Sequence, residues 1–496
     1  MTTFSVPGPL PGKQWQCVRL RQYDHAMRED SDLKQGQIVE VEIERSGFEG
    51  RAVARLDGLV LFVKGAVPGD RVRALVQKKK RRYVEAVLHE IVKPSPHRIE
   101  ALCPYFGVCG GCRWQELHYS KQIQDKRQHV IELFSRIAGL EVAVEETLAA
   151  PDPYYYRNKM EFSFGTRRWL TKEEISSGRT FDKSFVLGLH VPGRFDKLVD
   201  LKECHLPSPT SSQIVNRVRE LAEEQEWTAY DCRKHTGFLR HLVIRSSTYN
   251  GEILVALVTS RFDEDRMGVF KQVLLEEFRK VKTIINTVNE TVADITSGEE
   301  ILLHGTGAIV ERLHGLEFRI TPSTFFQTNT VQAERLFEVI RDMVGSQQEG
   351  LLFDLYAGVG SVGLFLARYF RKVICFENSP QSVQLARGNS RINGIENVGF
   401  HTADAASSLS EEILRKYGCP DVIVVDPPRA GLSSRMVRGI ISSGCQRLVY
   451  VSCNPSTQAR DIGILKEIYR VEKVQPVDMF PQTPHIESVA LLIKGA

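Results

Sequence analysis

No apolar run in this 496-residue chain approaches the roughly 18–20 residues that a membrane-spanning helix needs. The opening residues, MTTFSVPGPLPGKQWQ, contain no apolar signal core, and residues 1–34 read as a loose tail. No internal repeat or low-complexity block is present, which excludes a solenoid or a fibrous chain. The net charge, +4, is too small to name a partner by itself. The ten cysteines come without a secretory leader, and so argue against a disulfide framework. These absences point to a cytoplasmic protein with no membrane attachment and no evident obligate protein partner. What remains, 42% hydrophobic and 25% charged residues, is the balance of a globular chain long enough for about three domains.

Three zones follow the tail. Residues 35–93 carry short alternating apolar segments broken by glycines, with Val39, Val41 and Ile43 on one phase and Val60 and Phe62 read the same way. Such short strands predict a small β-barrel. Between Arg71 and Arg98 nine Lys or Arg face two Glu, with Lys78, Lys79, Lys80, Arg81 and Arg82 at the centre. The run reads either as a solvated loop or as a phosphate-contacting patch. Residues 94–320 mix strands and helices, with one long helix expected over LHYSKQIQDKRQHVIELFSRIAGL and strands over FLRHLVIRSS, EILVALVTS, KTIINTVNE and GLEFRITPS. Residues 321–496 alternate strand and helix, which predicts a doubly wound parallel α/β sheet.

That last zone carries the chemistry. After the strand LLFDL, Gly358, Gly360 and Gly363 fit G-x-G-x-x-G at the opening of a helix. The next strand ends in Glu377, placed to accept hydrogen bonds from ribose hydroxyls. This arrangement serves dinucleotides and S-adenosylmethionine alike, so a dehydrogenase stays open at this point. Asp404 closes the third strand, where it could meet an adenine edge. Asp426, Pro427 and Pro428 close the fourth; a D-P-P turn is a recurrent mark of methyltransferases acting on planar nitrogen rings, or else a plain strand-to-helix turn. The fifth strand ends at Cys453, just before Asn454 and Pro455 open a helix. A thiol at a helix N-terminus is expected to be held as thiolate by the dipole and free amides, and reads as a nucleophile. Glu487, before the last apolar strand, reads as a candidate base or as a surface glutamate. Cys103, Cys109 and Cys112 sit in CPYFGVCGGC, whose glycines let a loop wrap a metal centre.

These motifs together resemble the RNA uracil-5-methyltransferase family, and its 23S ribosomal RNA members best. The matching residues are FFQTN (Phe325 to Asn329), DLYAGVG, Glu377, DPPRAG (Asp426 to Gly431), SCNP with Cys453, and HIESV with Glu487. The resemblance implies a class I methyltransferase domain. Gln327, Tyr356, Glu377 and Asp426 would contact S-adenosylmethionine, with Asp404, Gly358 and Gly360 beside them. It further implies that Cys453 adds to carbon 6 of uracil, making carbon 5 nucleophilic, and that Glu487 then removes the carbon-5 proton. Ser361 departs from relatives that carry Asn there. Upstream, the barrel resembles a TRAM RNA-binding module, and YRNKMEFSF and GFLRHLVIR resemble family segments facing RNA. Cys204, in LKECHL, matches the fourth ligand of a [4Fe–4S] cluster; spacing alone does not separate that cluster from zinc.

The expectation is methylation of a specific uridine in 23S rRNA. The same chemistry on tRNA and a non-catalytic RNA-binding or ribosome-assembly factor are the alternatives. A small-molecule methyltransferase would have no use for the barrel, and a dehydrogenase would leave DPP and SCNP unexplained.

Overall fold

A computed structural model describes residues 33–47 and 50–495. The expected tail, 1–34, lies outside the described residues except for Leu33 and Lys34. Five strands, β1 (Ile38–Ser46), β2 (Ala52–Leu56), β3 (Leu59–Lys64), β4 (Arg71–Lys79) and β5 (Tyr83–Lys93), close into a barrel in the order β1-β2-β3-β5-β4. Val39, Val41 and Ile43 line its core as read from the sequence. In β3 the phase is reversed: Leu61 and Val63 point inward, while Phe62 lies outside against Tyr83 and under Arg51.

The middle of the chain builds an eight-stranded sheet. Its strands are β6 (Lys159–Gly165), β7 (Arg168–Trp169), β8 (Val186–Val191), β9 (Arg194–Asp200), β10 (Leu239–Ser246), β11 (Ile253–Thr259), β12 (Val281–Val288) and β13 (Glu299–His304). They lie in the order β13-β12-β11-β10-β6-β8-β9-β7, and a separate hairpin, β14 (Ile309–Leu313) and β15 (Leu316–Ile320), follows. The expected long helix forms. α1 spans Tyr119–Leu133, passes into a π turn, Phe134–Ala138, and stops at Gly139, which takes the left-handed φ of 63°. Helices α2 (Lys172–Ser176), α3 (Pro209–Glu224) and α4 (Glu264–Glu277) complete this part.

The C-terminal sheet contains β16 (Gln347–Leu355), β17 (Phe370–Glu377), β18 (Val398–Thr402), β19 (Val422–Val425), β20 (Arg447–Ser452), β21 (Tyr469–Val477) and β22 (Glu487–Lys494). The connecting helices are α5 (Thr330–Val344), α6 (Ser361–Leu366), α7 (Pro380–Ile392), α8 (Glu411–Tyr417), α9 (Ser434–Ser443) and α10 (Pro455–Leu465). The order is β18-β17-β16-β19-β20-β22-β21. Strands β16 to β20 are parallel and β19 is buried along its whole length, as a sheet covered on both faces requires. The sheet departs from a wholly parallel one at its end, where β22 inserts antiparallel between β20 and β21.

The core of this sheet is not confined to residues after 320. Val130, Phe134, Ala138 and Val144 pack with Ile462, Leu465 and Tyr469, and bridges Val144 to Val474 and Leu148 to Val477 extend the β21 edge. Among the described residues no helix is long and apolar enough to cross a membrane.

Candidate functional site

The glycine turn lies at the carboxyl edge of β16. Tyr356, Gly358 and Gly360 all take positive φ, at 68°, 57° and 78°. At Gly360 a Cβ would come within 2.7 Å of the Phe400 ring, so glycine is required by space as well as by φ. Glu377 ties this turn to its own strand end: its Oε2 accepts from Gly358 N at 3.0 Å and its Oε1 from Ser379 N at 2.8 Å. Asp404 is exposed just beyond β18, and its charge adds to burial in pushing the Tyr356 phenol up to about 12. Tyr356, Gly358, Gly360, Glu377 and Asp404 therefore gather at one edge of the sheet. Gln327 is half-buried on the extended segment between β15 and α5, where its carbonyl accepts the Asn158 amide at 2.9 Å.

Asp426, Cys453 and Glu487 meet at the same edge. Cys453 follows β20 and Glu487 opens β22, whose register pairs Ser452 with Ser488 and so brings the thiol and the carboxyl side by side. Glu487 is the first residue of its strand and is 4% exposed, which removes the reading of a surface glutamate. Burial first, and the charge of Asp426 second, raise its carboxyl well above the ordinary range, while Arg429 opposes them. Burial raises Asp426 too.

The thiol departs from expectation. Burial, then Glu487 and Asp426, push Cys453 up to about 11, against the pull of Arg429, which also hydrogen-bonds the sulfur. The helix does not supply the free amides anticipated for a thiolate. Pro455 has none, the Asn454 side chain takes Ser456 N at 3.2 Å, and the Asn454 carbonyl takes Thr457 N at 3.1 Å. The counter-charge for the sulfur is Arg429. Sequence reasoning missed this residue although it stands inside DPPRAG, three positions past Asp426.

Arg429 is set in place by α10. Its carbonyl accepts from Asn454 Nδ2 at 3.0 Å and Thr457 Oγ1 at 3.3 Å. Buried Asp461 accepts from Leu432 N and from the Tyr450 hydroxyl, both at 2.7 Å, and Arg460 Nη2 donates to the Ala430 carbonyl at 2.9 Å. A Cβ at Gly431 would meet Asp461, Arg460 and Thr457 within 3 Å, so the turn can press onto the helix only as glycine.

Cys103, Cys109, Cys112 and Cys204 line one cavity of about 900 Å³ with Arg157, Lys159 and Arg245. The sulfurs accept hydrogen bonds: Cys109 from Gly111 N at 3.4 Å, Cys112 from the Gln115 side chain, Cys204 from Leu206 N, and Cys103 from the amides of Tyr105 and Phe106. Burial first, then the charge of Cys204 and the other neighbouring cysteines, raises Cys109 and Cys112 to about 12. An all-sulfur donor set ringed by amide donors suits a thiolate-bound centre. The expected coordination shell itself is not formed: among the described residues no three His, Cys, Asp or Glu stand close enough to hold a metal ion.

On the barrel, Lys78 to Arg82 are exposed at the β4–β5 turn, next to the external Phe62–Tyr83 pair.

Two family models match: "tRNA (Uracil-5-)-methyltransferase" over residues 241–495 and "TRAM domain" over 32–88. An uncharacterized RNA methyltransferase of Bacteroides thetaiotaomicron is 38% identical over 90% of this chain and 99% of its own. One from Porphyromonas gingivalis is also 38% identical, over 92% and 100%. The solved tRNA (uracil-54, C5)-methyltransferase of Pyrococcus abyssi, in complex with S-adenosyl-L-homocysteine, is 30% identical, with a TM-score of 0.71 over 92% of this chain and 99% of that one.

Proposed function

The chain belongs to the S-adenosylmethionine-dependent RNA uracil-5-methyltransferase family, and from that premise we propose that it methylates carbon 5 of a specific uridine in 23S rRNA. The observation that carries this reading is the pairing of Cys453 with Glu487 across β20 and β22, with Arg429 beside both. Cys453, as thiolate, adds to carbon 6 and sends electron density to carbon 5, and Arg429 offsets the sulfur's charge while it is free. S-adenosylmethionine, when bound, supplies the methyl group that carbon 5 accepts. Tyr356, Glu377, Asp404, Asp426 and Gln327, with Gly358 and Gly360, hold that donor at the carboxyl edge of the sheet. Glu487 then takes the carbon-5 proton; the electrons of that bond form the 5,6 double bond and expel the Cys453 sulfur. The uridine must be turned out of any stack to expose carbon 6, which favours loops and bulges.

Cys103, Cys109, Cys112 and Cys204 hold a [4Fe–4S] cluster in this reading. The methyl chemistry transfers no electron, so the cluster serves the shape of the loop or the docking of RNA.

Ribosomal RNA is the first substrate because barrel and four-cysteine set occur together, as in the ribosomal enzymes the chain resembles. A tRNA uridine is the second reading, favoured by the Pyrococcus abyssi relative. That relative is named for tRNA, and its match to 92% of this chain is too extensive to leave the barrel out. The deciding experiment is parallel transfer of labelled methyl from S-adenosylmethionine to unmodified 23S rRNA and tRNA transcripts, with nucleoside analysis. Label as 5-methyluridine in 23S rRNA alone is the expected result. Label in tRNA alone moves the substrate and keeps the chemistry. Label in neither brings a non-catalytic RNA-binding or assembly factor to the front.

A further inference from the structure

The loop that delivers Glu487 is held by the same segment that follows the cysteines. Residues Asp478 to Ile486 connect β21 to β22, and Gln482 at the centre takes a left-handed φ of 67° while only 3% exposed. Its carbonyl accepts from Arg113 N at 2.9 Å and Trp114 N at 3.1 Å, directly after Cys112. Its own amide donates to Gln122 Oε1 at 3.1 Å, and Gln122 Nε2 returns a bond to Gln482 Oε1 at 3.0 Å. Gln122 is fully buried and also donates to the carbonyls of Trp114 and Leu117. One turn further along α1, Lys126 Nζ donates to Asp478 Oδ1 at 2.5 Å and to the Phe480 carbonyl at 3.2 Å. On the cysteine side, Gln115 Oε1 accepts from Cys103 N at 3.0 Å, and the Gln115 side chain bonds the Cys112 sulfur.

We propose that the segment from Cys112 to Lys126 positions Glu487 through the Gln122–Gln482 pair, so that the four-cysteine loop governs removal of the carbon-5 proton rather than the methyl transfer before it. This inference rests on the function proposed above. Gln122 and Gln482 are positioning residues: neither touches the reacting atoms. A general base works only within hydrogen-bond reach of the proton it takes, and Glu487 is five residues from the point where this staple fixes its loop. The nucleophile depends on a different support, the grip of α10 on Arg429, so the two halves of the reaction have separable scaffolds. If the proton stays on carbon 5, the bond from Cys453 to carbon 6 cannot break, and a methylated RNA–protein adduct accumulates.

The test follows that adduct on denaturing gels, using anaerobically purified full-length protein, labelled S-adenosylmethionine and whichever RNA accepts label in the parallel assay. Gln482→Gly keeps the backbone conformation accessible and removes the side-chain bond; Gln122→Met removes the other half. Each is expected to raise the ratio of methylated adduct to released product by about tenfold, with first-turnover methyl transfer near wild type. Cys112→Ser should do the same; where it does not fold, the glutamine variants decide alone. A wild-type ratio, or parallel loss of adduct and product, overturns the coupling. Glu487→Gln is the control. If it accumulates no adduct, the assignment of the base fails, and the proposed mechanism falls with this inference.

Discussion

At the scale of single residues, Cys453 is a protonated thiol at neutral pH, because burial and two carboxyl neighbours outweigh Arg429. A raised thiol pKa means that the reactive thiolate fraction grows about tenfold per pH unit until the pKa is reached. Alkylation of Cys453 by iodoacetamide is therefore expected to climb steadily from pH 6 to 10. Arg429→Met should slow it at every pH in that range; a profile flat above pH 7 would contradict the account. The cysteine and the helix start after it are both legible in SCNP. What cannot be read there is that Asn454 and Pro455 leave no amide for the sulfur, since that depends on which way a side chain turns. Arg429 was likewise visible in DPPRAG, but its target comes from strands 24 and 58 residues further along the chain.

Among the elements, α1 shows what local pattern can and cannot say. Apolar spacing marks the helix, yet its inner face carries Gln122 and Lys126 for a loop more than 350 residues away. Lys126 and Asp478 are each at most 1% exposed, and burial lowers the lysine pKa against the pull of its partner. Removing one member of such a pair leaves a buried charge unpaired. Lys126→Met should cost about 3–5 kcal/mol in urea unfolding, with part recovered by adding Asp478→Asn. Equal loss in the single and double variants would show that the charge is not the cause. Strand β3 illustrates a different limit: in LVLFV every position is apolar, so alternation cannot tell the inner face from the outer, and it is Leu61 and Val63 that face inward while Phe62 lies outside.

At the scale of the whole molecule, the barrel and the α/β sheet were legible because strand and helix periods repeat cleanly, and the glycine turn because its glycines follow a strand. Packing of α1 onto the C-terminal core was not, since sequence order suggests domains of contiguous chain. The exposed run Lys78 to Arg82 projects from the barrel, and each phosphate contact it makes should steepen the fall of log affinity with log salt by about 0.7–0.9. Changing all five to Gln should flatten that slope for 23S rRNA and leave label transfer to a short saturating RNA near wild type; an unchanged slope would remove the barrel turn from the RNA interface. The placement of β22 has a consequence for biosynthesis. It is the last strand to be translated of the seven in its sheet, yet it lies between two earlier ones and brings Glu487 with it. Until it arrives, β20 presents a bare apolar edge for chaperones to recognise. A nascent chain halted before Glu487 lacks both the carboxyl and the strand that closes its sheet, so chaperones would meet it as an unfinished fold before any RNA could.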